Sequence, residues 1–328
     1  MVRCCLKKSK HMLTETNIIQ TLKRAFPTHI GDDAAVLPAT NHDHHVITQD
    51  LLVEDVHFRR KYHSAATLAH KALHVNLSDL AAMGAFPDYV LLGLSIPPTL
   101  SEDYLNEFLN HFTHACHTQH VTLIGGDTTA SPDTFFISVT ALGHVDPANI
   151  KHRHTAKPGD VICVTGPLGE AHVGFTTLER GEIAAPALTS AFLTPNARVS
   201  EGIWLGKQTA VTAMMDLSDG LFTDLEKLAI ASNSAALINV DHFILTPSFK
   251  SACQHLQLDP ISTQLIGGED YGLLLTLKPE HYTTLHAAFK NQFGYSLQTI
   301  GHMRPGAGVQ VIQHDQPFNL QLTPFSHF

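Results

Sequence analysis

Aspartate recurs in short motifs at the ends of apolar segments, and this is the feature of the sequence that could carry chemistry. Any one motif could be only a turn or a helix cap, because aspartate favours both. If the segments converge, several carboxylates meet in one cleft, where they repel one another and raise their pKa values. The motifs are Ile30-Gly31-Asp32-Asp33, Thr48-Gln49-Asp50, Asn76-Leu77-Ser78-Asp79, Gly125-Gly126-Asp127, Asp216-Leu217-Ser218-Asp219-Gly220 and Gly267-Gly268-Glu269-Asp270-Tyr271.

Such a cleft is suited to magnesium and phosphate. Mg²⁺ takes carboxylate and phosphate oxygens and uses only one or two protein carboxylates per ion, so the acidic set predicts several ions. Gly125 and Gly126 would allow the backbone to approach a phosphate. The sequence contains neither a G-x-x-x-x-G-K-[ST] loop nor a protein-kinase signature, so a nucleotide would be held in another way.

Alternating strands and helices must position these motifs. Apolar runs predict strands, and apolar residues at helical spacing predict helices. A glycine turn at 166–169 leads from a strand into a further helix. The predicted strands are 46–48 (ending at Asp50), 89–96, 121–124 (running into the 125–127 motif), 135–142, 161–165, 211–215, 236–240 and 273–277, and the predicted helices are 18–26, 65–83, 105–112 and 221–231.

Length and turn chemistry predict two mixed α/β domains. The chain has 328 residues, and turn-forming residues cluster at 146–149 and 157–160. We therefore expect a tail at 1–13, an N-terminal α/β domain at 14–150 and a C-terminal α+β domain at 151–328.

Composition excludes several classes of protein. The net charge of −9 disfavours nucleic-acid binding. The five cysteines include no C-x-x-C pair, so neither a disulfide framework nor a thiolate zinc site is indicated, and a reducing cytoplasm fits best. No secretory signal and no apolar run of membrane-spanning length occurs. The histidine-rich stretches 41–45 and 152–154 could bind metal, but histidine is abundant throughout, at 24 residues.

Taken together and in this order, the motifs resemble the thiamine-monophosphate kinase family. The segments that carry the resemblance span about residues 14 to 328 and are 30–36, 53–58, 76–85, 123–128, 216–221 and 267–271. The resemblance implies the two-domain fold of the aminoimidazole-ribonucleotide synthetase superfamily and a homodimer paired through the N-terminal sheets. It also implies ATP, several Mg²⁺ ions and thiamine monophosphate as ligands.

The resemblance also assigns expected roles to residues. Gln49, which stands where the family usually has Thr or Ser, is grouped with the metal-binding positions. The metal positions are Asp33, Thr48, Gln49, Asp50, Asp79, Asp127, Asp216 and Asp219; the nucleotide positions are Gly126, Asp127, Arg153 and Ser218; and the substrate positions are His57, Glu269 and Phe325.

The expected reaction is in-line transfer of a phosphoryl group to a substrate phosphate oxygen. A phosphate monoester has a second pKa near ~6 and needs no general base at neutral pH, so no catalytic base or covalent nucleophile is expected. Another ATP-using member of the superfamily, a hydrogenase-maturation protein for example, and a non-catalytic metal- or nucleotide-binding module are the alternatives. The intact acidic set disfavours the second of these.

Overall fold

The described residues of the first half of the chain form a five-stranded sheet with two helices packed on it. The computed structural model describes residues 32–38, 43–182 and 185–318. The strand order is β1-β2-β5-β3-β4, and every neighbouring pair is antiparallel except β3 and β4. These elements are β1 Ala35–Pro38, β2 His44–Val53, α1 Ala65–Ala82, β3 Phe86–Ile96, α2 Glu102–Thr118, β4 Thr122–Ala130 and β5 Phe136–Val145.

The second half forms a seven-stranded mixed sheet in the order β12-β11-β8-β10-β6-β9-β7. Only β8 and β11 pair in parallel within it. Short 3₁₀ helices lie at Pro147–Asn149, Val240–His242 and Pro279–His281. The other elements are β6 Val161–Val164, α3 Glu170–Arg180, α4 Pro186–Leu193, α5 Val199–Gly206, β7 Val211–Asp216, α6 Leu221–Ala231, β8 Ala235–Asn239, α7 Pro247–His255, α8 Pro260–Ile266, β9 Leu273–Leu277, α9 Tyr282–Phe293, β10 Gln298–Arg304, β11 Gly308–Gln313 and β12 Gln316–Pro317.

Helix α1 joins the two halves. Ser64 caps its first turn by accepting a hydrogen bond from the Thr67 amide. The helix is buried on nearly all sides because it packs on β2, β5 and α2 from the first half and on α5 and β7 from the second. A Cβ on Gly202 would lie 2.2 Å from the Ala81 carbonyl oxygen, so only glycine permits α5 to approach this closely. The polar residues of α1 are thereby held between the two sheets.

The structure confirms most of the predicted elements and corrects the ends of two strands, of which the one predicted to end at Asp50 continues to Val53. The predicted limits of α6 and β9 agree with those observed, and mixed α/β architecture is found in both halves. The strand predicted to end at residue 124 continues to Ala130, so Gly125, Gly126 and Asp127 lie within β4 and not in a loop after it. The predicted helix at 18–26 and the N-terminal tail lie outside the described residues. Among the described residues, no helix is both long and apolar enough to cross a membrane.

Candidate metal and substrate site

Three of the predicted carboxylates meet in one buried cluster. Asp33 immediately precedes Ala34 and β1, Asp79 lies in the last turn of α1, and Asp216 ends β7. One carboxylate oxygen from each lies within 4.8 Å of those of the other two. The predicted convergence is therefore confirmed for these three residues, which are supplied by both halves of the chain.

Hydrogen bonds fix each carboxylate of this cluster. Thr48 Oγ1 donates to Asp79 Oδ2 over 2.5 Å, and Ser78 Oγ donates to Asp216 Oδ2 over 2.8 Å. Arg153 Nη2 donates to Asp33 Oδ1 over 2.6 Å. The second oxygen of Asp33 is buried and has no hydrogen-bond partner within the described part of the chain. A buried acceptor without a partner is costly, and a cation would satisfy it.

Burial and mutual repulsion raise the pKa values of these carboxyls. Burial raises the pKa of Asp79 and of Asp216 well above the ordinary value, and neighbouring carboxylates raise both further. The pKa of Asp33 is also raised by burial, although the Arg153 guanidinium opposes the shift. Burial and then the charge of Asp219 raise the pKa of Asp50 to about 6. Without a bound cation, burial and mutual repulsion therefore disfavour the ionised forms of these carboxyls.

The loop before α6 is held by two residues that the sequence analysis did not single out. The Asp224 carboxylate accepts hydrogen bonds from the amides of Asp219 and Gly220, over 3.0 and 3.1 Å. Lys227 Nζ pairs with the Asp219 carboxylate and, at 3.1 Å, with that of Asp224. Burial raises the pKa of Asp224 to about 7 in spite of Lys227. The spacing of an Asp and a Lys at i and i+3 on the predicted helix was the available signal.

Asp32 positions the segment that carries Arg153. Its carboxylate accepts a hydrogen bond from the Arg153 amide over 2.9 Å and pairs with His152 Nδ1 at 2.7 Å. Burial favours the neutral acid, but the His152 and Arg153 hydrogen bonds outweigh it and lower the pKa of Asp32. His154 Nδ1 lies 3.9 Å from the same carboxylate. Asp32 thus brings the Arg153 side chain to Asp33.

The loop of the last acidic motif packs against the loop that carries Ser218. The amide of Glu269 donates to the Ser218 carbonyl over 2.7 Å, and that of Tyr271 donates to the Leu217 carbonyl over 2.8 Å. A Cβ on Gly268 would lie 2.7 Å from the Ser218 carbonyl oxygen. Glu269 and Tyr271 adopt left-handed backbone angles, with φ of +66° and +46°. Non-glycine residues in this region are strained and concentrate at functional sites.

A buried lysine connects two of the predicted substrate residues. Lys71 Nζ lies 2.8 Å from Glu269 Oε1 and 3.4 Å from the carbonyl oxygen of His57. The His57 ring accepts a hydrogen bond from the Val53 amide at Nδ1, over 3.0 Å. Sequence reasoning missed Lys71, although a lysine among the apolar positions of helix 65–83 was a signal.

Other predicted residues lie apart from the cluster. Gln49 remains a predicted metal-binding position, but its side chain lies on the face of β2 opposite to Thr48 and donates to Ser138 Oγ over 2.8 Å. Asp127 is exposed on edge strand β4, opposite Gly93. A Cβ on Gly126 would lie 1.8 Å from the Leu92 carbonyl oxygen, so strand packing alone requires glycine there. Phe325 lies outside the described residues.

Comparison with known families identifies the class of protein. Residues 31–145 match the family model of the AIR synthase related protein, N-terminal domain, and residues 157–314 match that of the C-terminal domain. Thiamine-monophosphate kinase from Escherichia coli K12 is 34% identical over 306 residues, covering 91% of each chain. The Haemophilus influenzae enzyme is 33% identical over 307 residues, again covering 91% of each. The chain belongs to the thiamine-monophosphate kinase family of AIR synthase related proteins.

Solved structures agree with this assignment. AaThiL complexed with AMPPCP and TMP superposes with a TM-score of 0.85 at 30% identity, covering 96% of this chain and 97% of that one. Thiamine-monophosphate kinase from Stenotrophomonas maltophilia gives a TM-score of 0.75 at 32% identity, covering 92% and 96%. The hydrogenase maturation protein HypE, at 21% identity and a TM-score of 0.73, shares the fold.

Proposed function

We propose that this protein transfers the γ-phosphate of ATP to thiamine monophosphate and so makes thiamine diphosphate. The observation that carries the proposal is the buried meeting of Asp33, Asp79 and Asp216 beside the Arg153 guanidinium. Carboxylates that can hold metal ions, next to the permanently charged guanidinium, suit a reaction that brings two phosphate groups together. The family membership and the AMPPCP and TMP bound to AaThiL support the same reaction.

The acidic cluster fits magnesium. Asp33 Oδ2 is buried without a hydrogen-bond partner among the described residues, and it lies in a group with the Asp79 and Asp216 carboxylates. Such a set of hard oxygen donors is suited to cations. We propose that these three carboxylates hold Mg²⁺, with Thr48 and Asp50 alongside. Asp127 and Asp219 remain predicted ligands, and several ions remain the expectation. When bound, Mg²⁺ neutralises phosphate charge and aligns the reacting oxygens.

The protein groups then have to bind and orient the reactants. Arg153 supplies a planar, permanently charged group suited to a nucleotide phosphate, and its pairing with Asp33 fixes its position. Gly126, Asp127 and Ser218 remain the other predicted nucleotide residues. The substrate phosphate is mostly dianionic at neutral pH, given a second pKa near ~6, so it can attack in line without a general base. No phosphorylated enzyme is required.

The ring portion of the substrate requires a separate pocket. His57 and Glu269, which come from different halves of the chain, meet around Lys71. Glu269 is an acceptor for an aminopyrimidine N–H and a counter-charge for a thiazolium. We propose these two residues as the ring-binding side of the site, and Phe325 remains a predicted third member.

The test is a direct assay of the product. The purified protein is mixed with ATP, Mg²⁺ and thiamine monophosphate, and thiamine diphosphate is measured by chromatography. Free thiamine, EDTA and an Asp79→Asn variant are the controls. Product that requires both the monophosphate and the metal is expected. ATP turnover without thiamine diphosphate would indicate another substrate, and bound ATP without turnover would indicate a non-catalytic module.

We also propose that two copies pair through the first sheet. Edge strand β4 has one neighbour in the sheet, and its residues are exposed. Leu51, Tyr89, Leu123 and Ile124 are large apolar side chains that are 40 to 52% exposed on this sheet. Exposed edges and apolar patches of this kind usually become covered. Sedimentation should give a dimer for the wild type and a monomer for Ile124→Glu, whereas a monomeric wild type would refute the pairing.

A further inference from the structure

Lys71 is a buried cation whose position calls for an explanation. It lies on α1 with 0% of its surface exposed. Burial of a charge is costly unless the charge is paired and hydrogen-bonded. A lysine that is fully buried there must therefore be stabilised by the groups around it.

Three groups surround the Lys71 ammonium. Glu269 Oε1 lies 2.8 Å from Nζ, the His57 carbonyl oxygen lies 3.4 Å away, and the Phe192 ring centroid lies 4.0 Å away. An ammonium has three N–H groups, so these neighbours engage it on several sides. Lys71 thus joins the turn after β2, the 267–271 loop and helix α4 at one point.

The Glu269 side chain remains accessible while it is paired. It is 28% exposed, in contrast to the fully buried lysine. Glu269 is therefore open to a ligand, whereas Lys71 is not. Glu269 has a left-handed backbone, with φ of +66°, a strained conformation of the kind that is found at functional sites.

We propose that Lys71 is a positioning residue that holds the Glu269 carboxylate and the His57 turn in the arrangement that recognises the ring portion of the substrate. This inference rests on the proposed function, because thiamine monophosphate is taken as the ligand. The ammonium acts through Glu269 and the turn, and it takes no part in phosphoryl transfer. Its effect should therefore fall on substrate affinity.

A double-mutant cycle tests this role. Lys71→Met keeps the length of the side chain and removes its charge, Glu269→Gln keeps the shape and removes the partner's charge, and the third variant carries both changes. We expect Lys71→Met to raise the KM for thiamine monophosphate about tenfold, with kcat within about threefold and the KM for ATP unchanged. The loss of affinity in the double variant should be smaller than the sum of the two single losses, because part of the effect of Lys71 passes through Glu269.

The controls separate positioning from simple stability. Lys290→Met changes an exposed lysine on α9 and should leave both KM values unchanged. Should Lys71→Met fail to fold, Lys71→Gln, which retains N–H donors, takes its place in the cycle. Additive losses in the double variant, or equal rises in both KM values, would overturn the inference. An active wild type with an unaffected lysine variant refutes only this inference, whereas an inactive wild type refutes the proposed function.

Discussion

Ser78 on α1 donates a hydrogen bond to the Asp216 carboxylate at the end of β7, over 2.8 Å, and so ties the first half of the chain to the second. The next residue, Asp79, accepts from Thr48 of β2 over 2.5 Å. Asn76, one turn earlier, accepts from the Asp50 amide over 2.9 Å. One turn of α1 therefore sets the relative positions of strands from both sheets, and the acidic cluster forms where they meet.

Ser78→Ala should weaken the contact between the two halves of the chain while leaving all three carboxylates of the cluster in place. The substitution removes the donor to Asp216 and leaves a buried carboxylate with one hydrogen bond fewer, which costs about 1–3 kcal/mol. We expect a lower free energy of unfolding and a several-fold rise in the Mg²⁺ concentration that gives half-maximal activity. Urea unfolding and a magnesium titration measure the two effects. Ser251→Ala, at an exposed position on α7, is the matched control, and equal behaviour of the two variants would contradict the role of Ser78.

Asp79→Asn should make the metal-free protein more stable and the enzyme much less active. The raised pKa of Asp79 means that its ionised form is disfavoured in the fold, so above the ordinary aspartate pKa this carboxyl lowers stability. Asparagine keeps an acceptor for Thr48 and removes that cost. In EDTA we expect a higher melting temperature than for the wild type, together with an activity loss of about 10²-fold or more with Mg²⁺. A metal-free variant that melts below the wild type would contradict the argument from repulsion.

Successive side chains of β2 point to opposite faces of the strand, and this predicts different effects of substituting Gln49 and Asp50. Thr48 and Asp50 share one face of the strand, and the Gln49 side chain lies on the other with Ser138. Gln49→Ala should leave the magnesium requirement within about twofold of the wild type, whereas Asp50→Asn should raise it about tenfold. Magnesium titrations of activity for both variants provide the comparison. A large effect at Gln49 would show that its side chain turns toward the metals.

The acidic motifs could be predicted because each is visible in a short stretch of sequence. The residues that support them could not be predicted in this way. Asp33, Asp79 and Asp216 lie next to apolar segments whose periodicity the sequence displays, so their convergence could be expected. Lys71 and Glu269 are nearly two hundred residues apart along the chain, and only tertiary packing brings them together. Gln49 was grouped with its neighbours in the motif, although the alternation of a strand places its side chain on the face opposite to Thr48 and Asp50. Asp127 was expected just after a strand, but the strand continues through the glycines, and Gly126 admits the close approach of β3.

Buried histidines give the fold a predictable acid sensitivity. His74 on α1 is 3% exposed, stacks on His70 at 3.9 Å between ring centroids, and accepts a hydrogen bond from the Ala197 amide over 3.1 Å. Burial, and then the neighbouring His70, lower the pKa of His74 to about 3. The unfolded state, with a histidine pKa near ~6.5, binds more protons than the folded state between these two values. Stability should therefore fall as the pH falls below about 6.5.

His74→Asn isolates this contribution, because asparagine can accept the Ala197 hydrogen bond but does not titrate in this range. The free energy of unfolding is measured in urea at pH 7, 6 and 5, in EDTA, for the wild type and the variant. Between pH 6 and 5 the wild type should lose up to about 1.4 kcal/mol more than His74→Asn, since one proton fewer is taken up on unfolding of the variant. His117→Asn, at an exposed position on α2, should lose stability in parallel with the wild type. Parallel curves for His74→Asn and the wild type would show that His74 can be protonated within the fold.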